Sequence, residues 1–234
     1  MKKHRKLKIF CLVVVFALLP VTIFAQLTGG RSYIREQIQR WGSCRLVAIT
    51  RTNGNLAVYG RNGWAGTGIP LSMERELNRL NSNNEFIRDV VLTEQGRWLI
   101  LYGNNGLLWD GIPDNDPLLS ALREYNAMSE IITSVAFNDY GEWVIITENY
   151  FLASNADLQS WLREGHALMG VIWTVSISED AMVAVHDDGF RYLGNVPQDL
   201  RNALRDTNVN VYFVKLAGTA WFFADFDGRY EYNM

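Results

Sequence analysis

The sequence predicts a mainly β protein with short helices: a five-fold repeat of one helix plus three antiparallel strands, closing into a five-bladed propeller-like ring. Three observations predict it. Segments that end a strand, turn and re-enter on an apolar residue recur about every 40 positions. Asn-Gly or Asp-Gly follows most of the second apolar runs, and a short amphipathic stripe separates one unit from the next.

The five segments are CRLVAITRTNGNLAVYG from Cys44, IRDVVLTEQGRWLILYG from Ile87, ITSVAFNDYGEWVIIT from Ile132, VIWTVSISEDAMVAVH from Val171 and VYFVKLAGTAWFFAD from Val211. In each, the first run alternates as a half-buried strand does; Val171, Trp173, Val175 and Ile177 are the clearest case. The second run is denser in Val, Ile, Leu and Trp, as a strand covered on both faces requires. Trp98, Trp143 and Trp221 fall at equivalent places in it and are expected in the core. Asn62-Gly63, Asn105-Gly106, Asp188-Gly189 and Asp227-Gly228 predict two-residue hairpin turns with positive φ, whereas Glu148-Asn149-Tyr150 predicts a looser one.

Helix starts are signalled by Ile69-Pro70, Asp116-Pro117 and Val196-Pro197, with Asp116 able to cap exposed amides. The apolar stripes follow: Ile34, Ile38, Trp41; Met73, Leu77, Leu80; Leu118, Leu122, Tyr125; Leu158, Trp161, Leu162; Leu200, Leu204. Helices this short are marginal alone and must dock on a sheet. An open stack of repeats needs polar end units. The fifth unit is instead among the most apolar, with Tyr212, Phe213, Val214, Trp221, Phe222 and Phe223, so packing of fifth unit on first is expected.

Residues 1–25 differ in kind. Lys2, Lys3, Arg5, Lys6 and Lys8 precede an uncharged, mostly apolar run over residues 9–25, and Ala25-Gln26 is a plausible cleavage point. This layout predicts a signal peptide and a secreted or periplasmic protein, with residues 26–234 forming a single five-repeat domain; the membrane is a partner only if the leader stays uncleaved. Five of the 22 Lys and Arg lie in the leader, which leaves 17 against 25 acidic residues, a net charge of −8. No basic stripe remains, which argues against nucleic acid as a partner. Cys44 is the one cysteine outside the leader, so it has no internal disulfide partner and is expected as a small buried residue at a strand edge.

No Ser/His/Asp arrangement, cysteine pair or phosphate loop is visible, so no catalytic residue, metal site or cofactor is expected, and the protein is not expected to be an enzyme. His186 beside Asp187-Asp188-Gly189 is explained by a hairpin turn, with His166 in a loop after a helix. Asp225 and Asp227 before Gly228 lack later carboxylate ligands for calcium. Asp114-Asn115-Asp116 is better suited to capping a helix than to holding an ion. The remaining candidates are third-strand aromatics: Trp64, Trp109, Phe151, Tyr192 and Tyr230. Their faces, next to Asp110 or Asp187, offer stacking for a sugar ring, with acids and amides for its hydroxyls; the competing expectation is that they cover a docked helix. Ligand binding is thus assigned to Trp64, Trp109, Asp110, Tyr192 and Tyr230.

AFNDYGEWVII from Ala136 and GLLWDGIP from Gly106 resemble the blade pattern of tachylectin-type five-bladed β-propellers, and GFRYLGNVP from Gly189 fits its second half. That resemblance implies a secreted, lectin-like carbohydrate-binding protein with sites repeated around a ring. The helix in each unit is also similar to the α/β-propeller of the pentein group, some members of which use a cysteine nucleophile. The first position of Cys44 does not match the late cysteine of those enzymes. The expected function is a binding module for glycan or cell-envelope carbohydrate; the alternative is a protein–protein interaction scaffold of the periplasm or cell surface.

Overall fold

The computed structural model describes residues 30–52 and 54–234; the leader expected over residues 1–25 lies outside them. Each of five units opens with a helix and continues into an antiparallel three-stranded sheet in sequential order. The first unit is α1 (Gly30–Trp41), β1 (Leu46–Ile49), β2 (Asn55–Tyr59) and β3 (Gly63–Thr67). The second is α2 (Leu71–Ser82), β4 (Ile87–Leu92), β5 (Trp98–Tyr102) and β6 (Gly106–Asp110). The third is α3 (Pro117–Ala127), β7 (Ile132–Phe137), β8 (Trp143–Thr147) and β9 (Phe151–Ala153). The fourth is α4 (Ala156–Met169), β10 (Ile172–Ile177), β11 (Ala181–His186) and β12 (Gly189–Gly194). The fifth is α5 (Gln198–Asp206), β13 (Phe213–Ala217), β14 (Ala220–Ala224) and β15 (Tyr230–Tyr232). This is the propeller-like arrangement of repeated three-stranded sheets that the periodicity predicts, although no single sheet closes on itself.

Middle strands are buried along nearly their whole length, as their apolar density requires. First strands lie beside first strands: β1 on β4, β4 on β7, β7 on β10, β10 on β13, and β13 on β1. One apolar cluster joins the fifth sheet to the first and second, for example Phe213 and Phe222 with Leu46, Val58 and Trp98. Three further clusters fill the gaps between the second and third, third and fourth, and fourth and fifth sheets. The Cys44 amide also donates to the Gly228 carbonyl at 2.9 Å, stitching the last sheet to the first.

The helices dock by the stripes read above. Ile34 and Ile38, Met73, Leu77 and Leu80, Leu118 and Leu122, Leu158 and Leu162, and Leu200 and Leu204 are all buried. Asp116 caps α3 through Leu118 N at 2.9 Å with Pro117 at the first helical position, and Asn155 caps α4 through Leu158 N at 2.9 Å. Pro70 and Pro197 stand one position earlier, at the caps themselves, without a side-chain bond. Second-strand tryptophans anchor the helix starts: Trp98 Nε1 donates to Ser72 Oγ (3.1 Å) and Trp221 Nε1 to Asp199 Oδ2 (2.9 Å). Trp98 and Trp221 are buried in the core, and Trp143 is half-buried against it.

The fourth unit has the expected two-residue hairpin loop, 187–188, but other hairpins depart from the expectation. The first two use three residues, 60–62 and 103–105, and the positive φ falls on Gly60 and Gly103, not on Asn62 or Asn105. Each asparagine serves the neighbouring unit instead. Asn62 Nδ2 donates to the Leu80 carbonyl at the end of α2 (3.1 Å). Asn105 Nδ2 donates to Glu130 O (2.8 Å), and its Oδ1 accepts from Ile132 N (3.2 Å). These bonds satisfy helix-end and strand-start groups that have no partner in their own element. Gly63 and Gly106 are required for room: a Cβ there would meet the Tyr59 and Tyr102 rings at 2.3 and 2.4 Å.

Candidate functional site

The first strands have two ends with different chemistry. At their trailing end, Ile49, Leu92, Phe137, Ile177 and Leu216, one residue from each unit, line a single cavity of about 50 Å³. That is room for a few water molecules at most. Across its rim, the Arg51 guanidinium pairs with Glu179 and the Arg51 amide donates to Glu94; Thr52 Oγ1 adds a bond to Glu94 at 3.0 Å. Arg97 pairs with Asp139 at 2.9 Å. Arg51 and Arg97 are thus each held by an acid, while Arg31 beside them bonds the Thr50 carbonyl.

One step inward from that rim, and again toward the other end, the strands bury polar side chains. Asp89 (β4) accepts from Val90 N (2.7 Å), from Ser134 Oγ (3.0 Å) and from Val135 N (3.0 Å) of the third unit. Ser134 also meets Thr174 Oγ1 at 3.2 Å, and Ser176 Oγ accepts from Leu216 N at 3.1 Å. Lys215 (β13) lies 4.0 Å from Asp89 Oδ1, and both are buried. Burial pushes the Lys215 ammonium below its ordinary pKa, while the Asp89 charge pulls it back up. A polar layer thus ties four of the five first strands together.

At the leading end, four residues before each cavity-lining position, stand Arg45, Arg88, Thr133, Trp173 and Tyr212. In the second, third and fourth units this residue is skipped by the pairing register, between Ile87 and Asp89, Ile132 and Ser134, and Ile172 and Thr174. An irregularity of this kind re-aims a side chain, and it recurs here at one structural position. Trp173 is exposed and packs on Tyr212 with ring centroids 5.8 Å apart; Tyr212 packs on Phe226 at 3.5 Å. Phe226 is 61% exposed. Burial, reinforced by the Asp89 charge, pushes the Tyr212 hydroxyl up to about 12.

Next to this aromatic belt is a concavity of about 370 Å³ lined by Ser43, Arg45, Gly60, Arg61, Phe86, Phe226 and Asp227. It lies in the size range of small-molecule sites. Arg45 and Arg61 both sit over the Phe86 ring, at 4.5 and 5.8 Å. Among the described residues Arg45 bonds backbone carbonyls, Gly60 O (2.6 Å), Ile87 O (2.8 Å) and Arg61 O (3.4 Å), and Arg61 Nε donates to Asn84 O (2.7 Å). Burial lowers the pKa of Arg45. Arg88 likewise bonds a carbonyl, Gly103 O, at 3.0 and 3.2 Å. Among the described residues, none of these three guanidiniums is in an ion pair with a carboxylate.

The third-strand aromatics named from the sequence lie one on each of the five sheets and do not form one site. Trp64 and Tyr230 pack against the cluster joining the fifth, first and second sheets, and Tyr230 also stacks on Phe222 and Tyr232. Trp109 packs on the second cluster with Arg123 over its ring at 5.6 Å. Tyr192 packs on the fourth with Arg201 over its ring at 4.8 Å. Asp110 is exposed, and hydrogen bonds from Ser72 and the Gly111 amide hold its carboxyl below the ordinary range. Phe151 faces His166, with ring centroids 5.6 Å apart.

The other polar candidates have structural partners. His166 Nδ1 and His186 Nδ1 both approach the Gly170 carbonyl, at 3.1 and 3.3 Å, and burial lowers the His186 pKa. The Asp187 carboxylate accepts from Val171 N (2.9 Å), and Asp225 accepts from the amide and Nε of Arg229 (2.8 and 2.6 Å). Cys44 is fully buried, with its thiol pushed up to about 12 by desolvation. The leading-end belt escaped sequence reasoning, although Arg88, Thr133 and Trp173 recur at one position of aligned repeats. No protein-family model and no curated protein matches this chain.

Proposed function

We propose that this chain is an exported, non-catalytic binding module whose five sheets close into a propeller ring, and that it holds glycan at the leading end of the first strands. Contact of β13 with β1, the shared fifth-to-first apolar cluster, and a cavity lined by one residue from each unit support closure. The basic-then-apolar leader supports export.

The observation that carries the binding reading is the concavity beside Phe226. It combines an open aromatic surface with guanidinium donors, the Asp227 carboxylate and the Ser43 hydroxyl, the mixture that stacks a sugar ring and bonds its hydroxyls. The third-strand sites around Trp109 and Tyr192 are weaker candidates, since a sugar would have to displace the arginines lying on those rings.

A glycan array probed with the purified protein tests this. Binding is expected, and Phe226→Ala, which removes a solvent-facing ring, should weaken it roughly tenfold or more with the melting temperature nearly unchanged. Absence of any glycan signal, or a signal indifferent to Phe226→Ala, overturns the assignment. Co-purification of an envelope protein in place of glycan would favour the scaffold alternative.

A further inference from the structure

We propose that the leading-end concavity selects acidic sugars, taking the carboxylate of a uronic-acid-type pyranose on the Arg45 and Arg61 guanidiniums while its ring lies on Phe226. This rests on the glycan reading above and narrows it to one chemical class. Two like charges converge on a single aromatic ring and a single concavity, Arg45 at 4.5 Å and Arg61 at 5.8 Å from the Phe86 centroid. Cation–π attraction and backbone carbonyls stabilise each cation locally but cancel none of the charge.

Asp227 is the one carboxylate on the lining, and it is in no ion pair with either arginine. The trailing end shows the alternative: there Arg51 and Arg97 are each neutralised by an acid of an adjacent or facing loop. A bound carboxylate would supply the missing counter-charge, and guanidinium is the cation whose planar fork matches it. The concavity of about 370 Å³ admits one pyranose unit with part of a neighbour. Phe226 and Asp227, adjacent in sequence, then face the ring and its hydroxyls. A free inorganic anion would use the arginines but leave Phe226 without a role.

The test is calorimetric titration of the full chain with three oligosaccharides of equal length: a polyuronate, a neutral hexose polymer and a sulfated one. The polyuronate should bind roughly tenfold more tightly than the neutral sugar, and added salt should erode that preference. Arg61→Gln should weaken polyuronate binding far more than neutral binding and so abolish the preference, whereas Arg61→Lys, which keeps the charge, should retain most of it; thermal melts of both variants verify the fold. Equal binding of neutral and acidic sugars, or an unchanged preference in Arg61→Gln, overturns the selectivity and leaves the glycan reading standing. Sulfated sugar binding as tightly as uronate overturns the carboxylate assignment. Binding of none of the three overturns both readings.

Discussion

The two ends of the first strands are built on the same five segments, yet the arginines on their loops are held differently. At the trailing end, Arg51 is held by Glu179 and its own amide bonds Glu94, while Arg97 is held by Asp139. The space beneath that rim is about 50 Å³. At the leading end, Arg45, Arg61 and Arg88 bond carbonyls and, among the described residues, no carboxylate, and Trp173 and Phe226 face solvent beside about 370 Å³ of open concavity. Internal pairing makes a lid, and unpaired guanidiniums beside exposed rings make a surface that still has binding free energy to give. The comparison therefore separates a paired end from the end proposed to bind, without any catalytic motif.

The most severe way to break it is to attack the layer between the ends. Asp89→Ala would leave the Val90 and Val135 amides and Ser134 without their acceptor and Lys215 without its counter-charge, all in a buried setting. Removing one partner of a buried pair costs about 3–5 kcal/mol, so the denaturation midpoint should fall steeply. Lys215→Met in the Asp89→Asn background should recover much of that loss, because no uncompensated charge then remains. Urea denaturation of the three proteins gives the answer. A loss below about 1 kcal/mol for Asp89→Ala would mean that the layer is not what holds the first strands together.

How much of this was legible in the sequence depends on the range of the interaction. The helix stripes, the Asp116 cap and the cores around Trp98 and Trp221 follow from local periodicity and local chemistry, and the structure has them. The asparagines of the hairpins could not be read that way. Asn62 and Asn105 sit where a positive-φ residue is plausible, but their bonds reach Leu80 and Glu130 in the neighbouring unit, whose placement a turn dipeptide does not encode. Asp89 and Lys215 lie 126 positions apart, so their pairing exists only once the second and fifth units are brought together. The bulged positions were accessible in principle: Arg88, Thr133 and Trp173 align across repeats, but their release from the buried faces, half for Arg88 and Thr133 and fully for Trp173, depends on a register slip that alternation alone does not reveal.

A milder test uses alkali, because two groups at the leading end are pushed far up in that range. Cys44 has its thiol raised from 9.0 to about 12 in the fold, and Tyr212 its hydroxyl from 10.0 to about 12. Above pH 9 the unfolded chain loses these two protons while the folded chain keeps them, so the contribution of the pair to stability falls with rising pH; Lys215, whose pKa burial lowers, acts in the opposite sense. For Cys44 the loss amounts to about 1.4 kcal/mol by pH 10, and Tyr212 adds to it above that. Cys44→Ala should flatten the profile between pH 9 and 10 while leaving the steeper fall above pH 10. An unchanged slope in that variant would place the alkaline sensitivity elsewhere.

The smallest effect belongs to the end that is already settled. Arg51 and Glu179 are half and one-third exposed, so water and salt screen their attraction. Glu179→Gln should cost no more than about 1 kcal/mol, less at 0.5 M salt, and should leave glycan affinity at the leading end unchanged. The same substitution strategy gives opposite readouts at the two ends, since Arg61→Gln should alter binding with little change in stability. If Glu179→Gln weakened sugar binding as much as Arg61→Gln does, the two ends would be coupled through the Asp89–Lys215 layer, and the division between a closed scaffold end and an open binding end would fail.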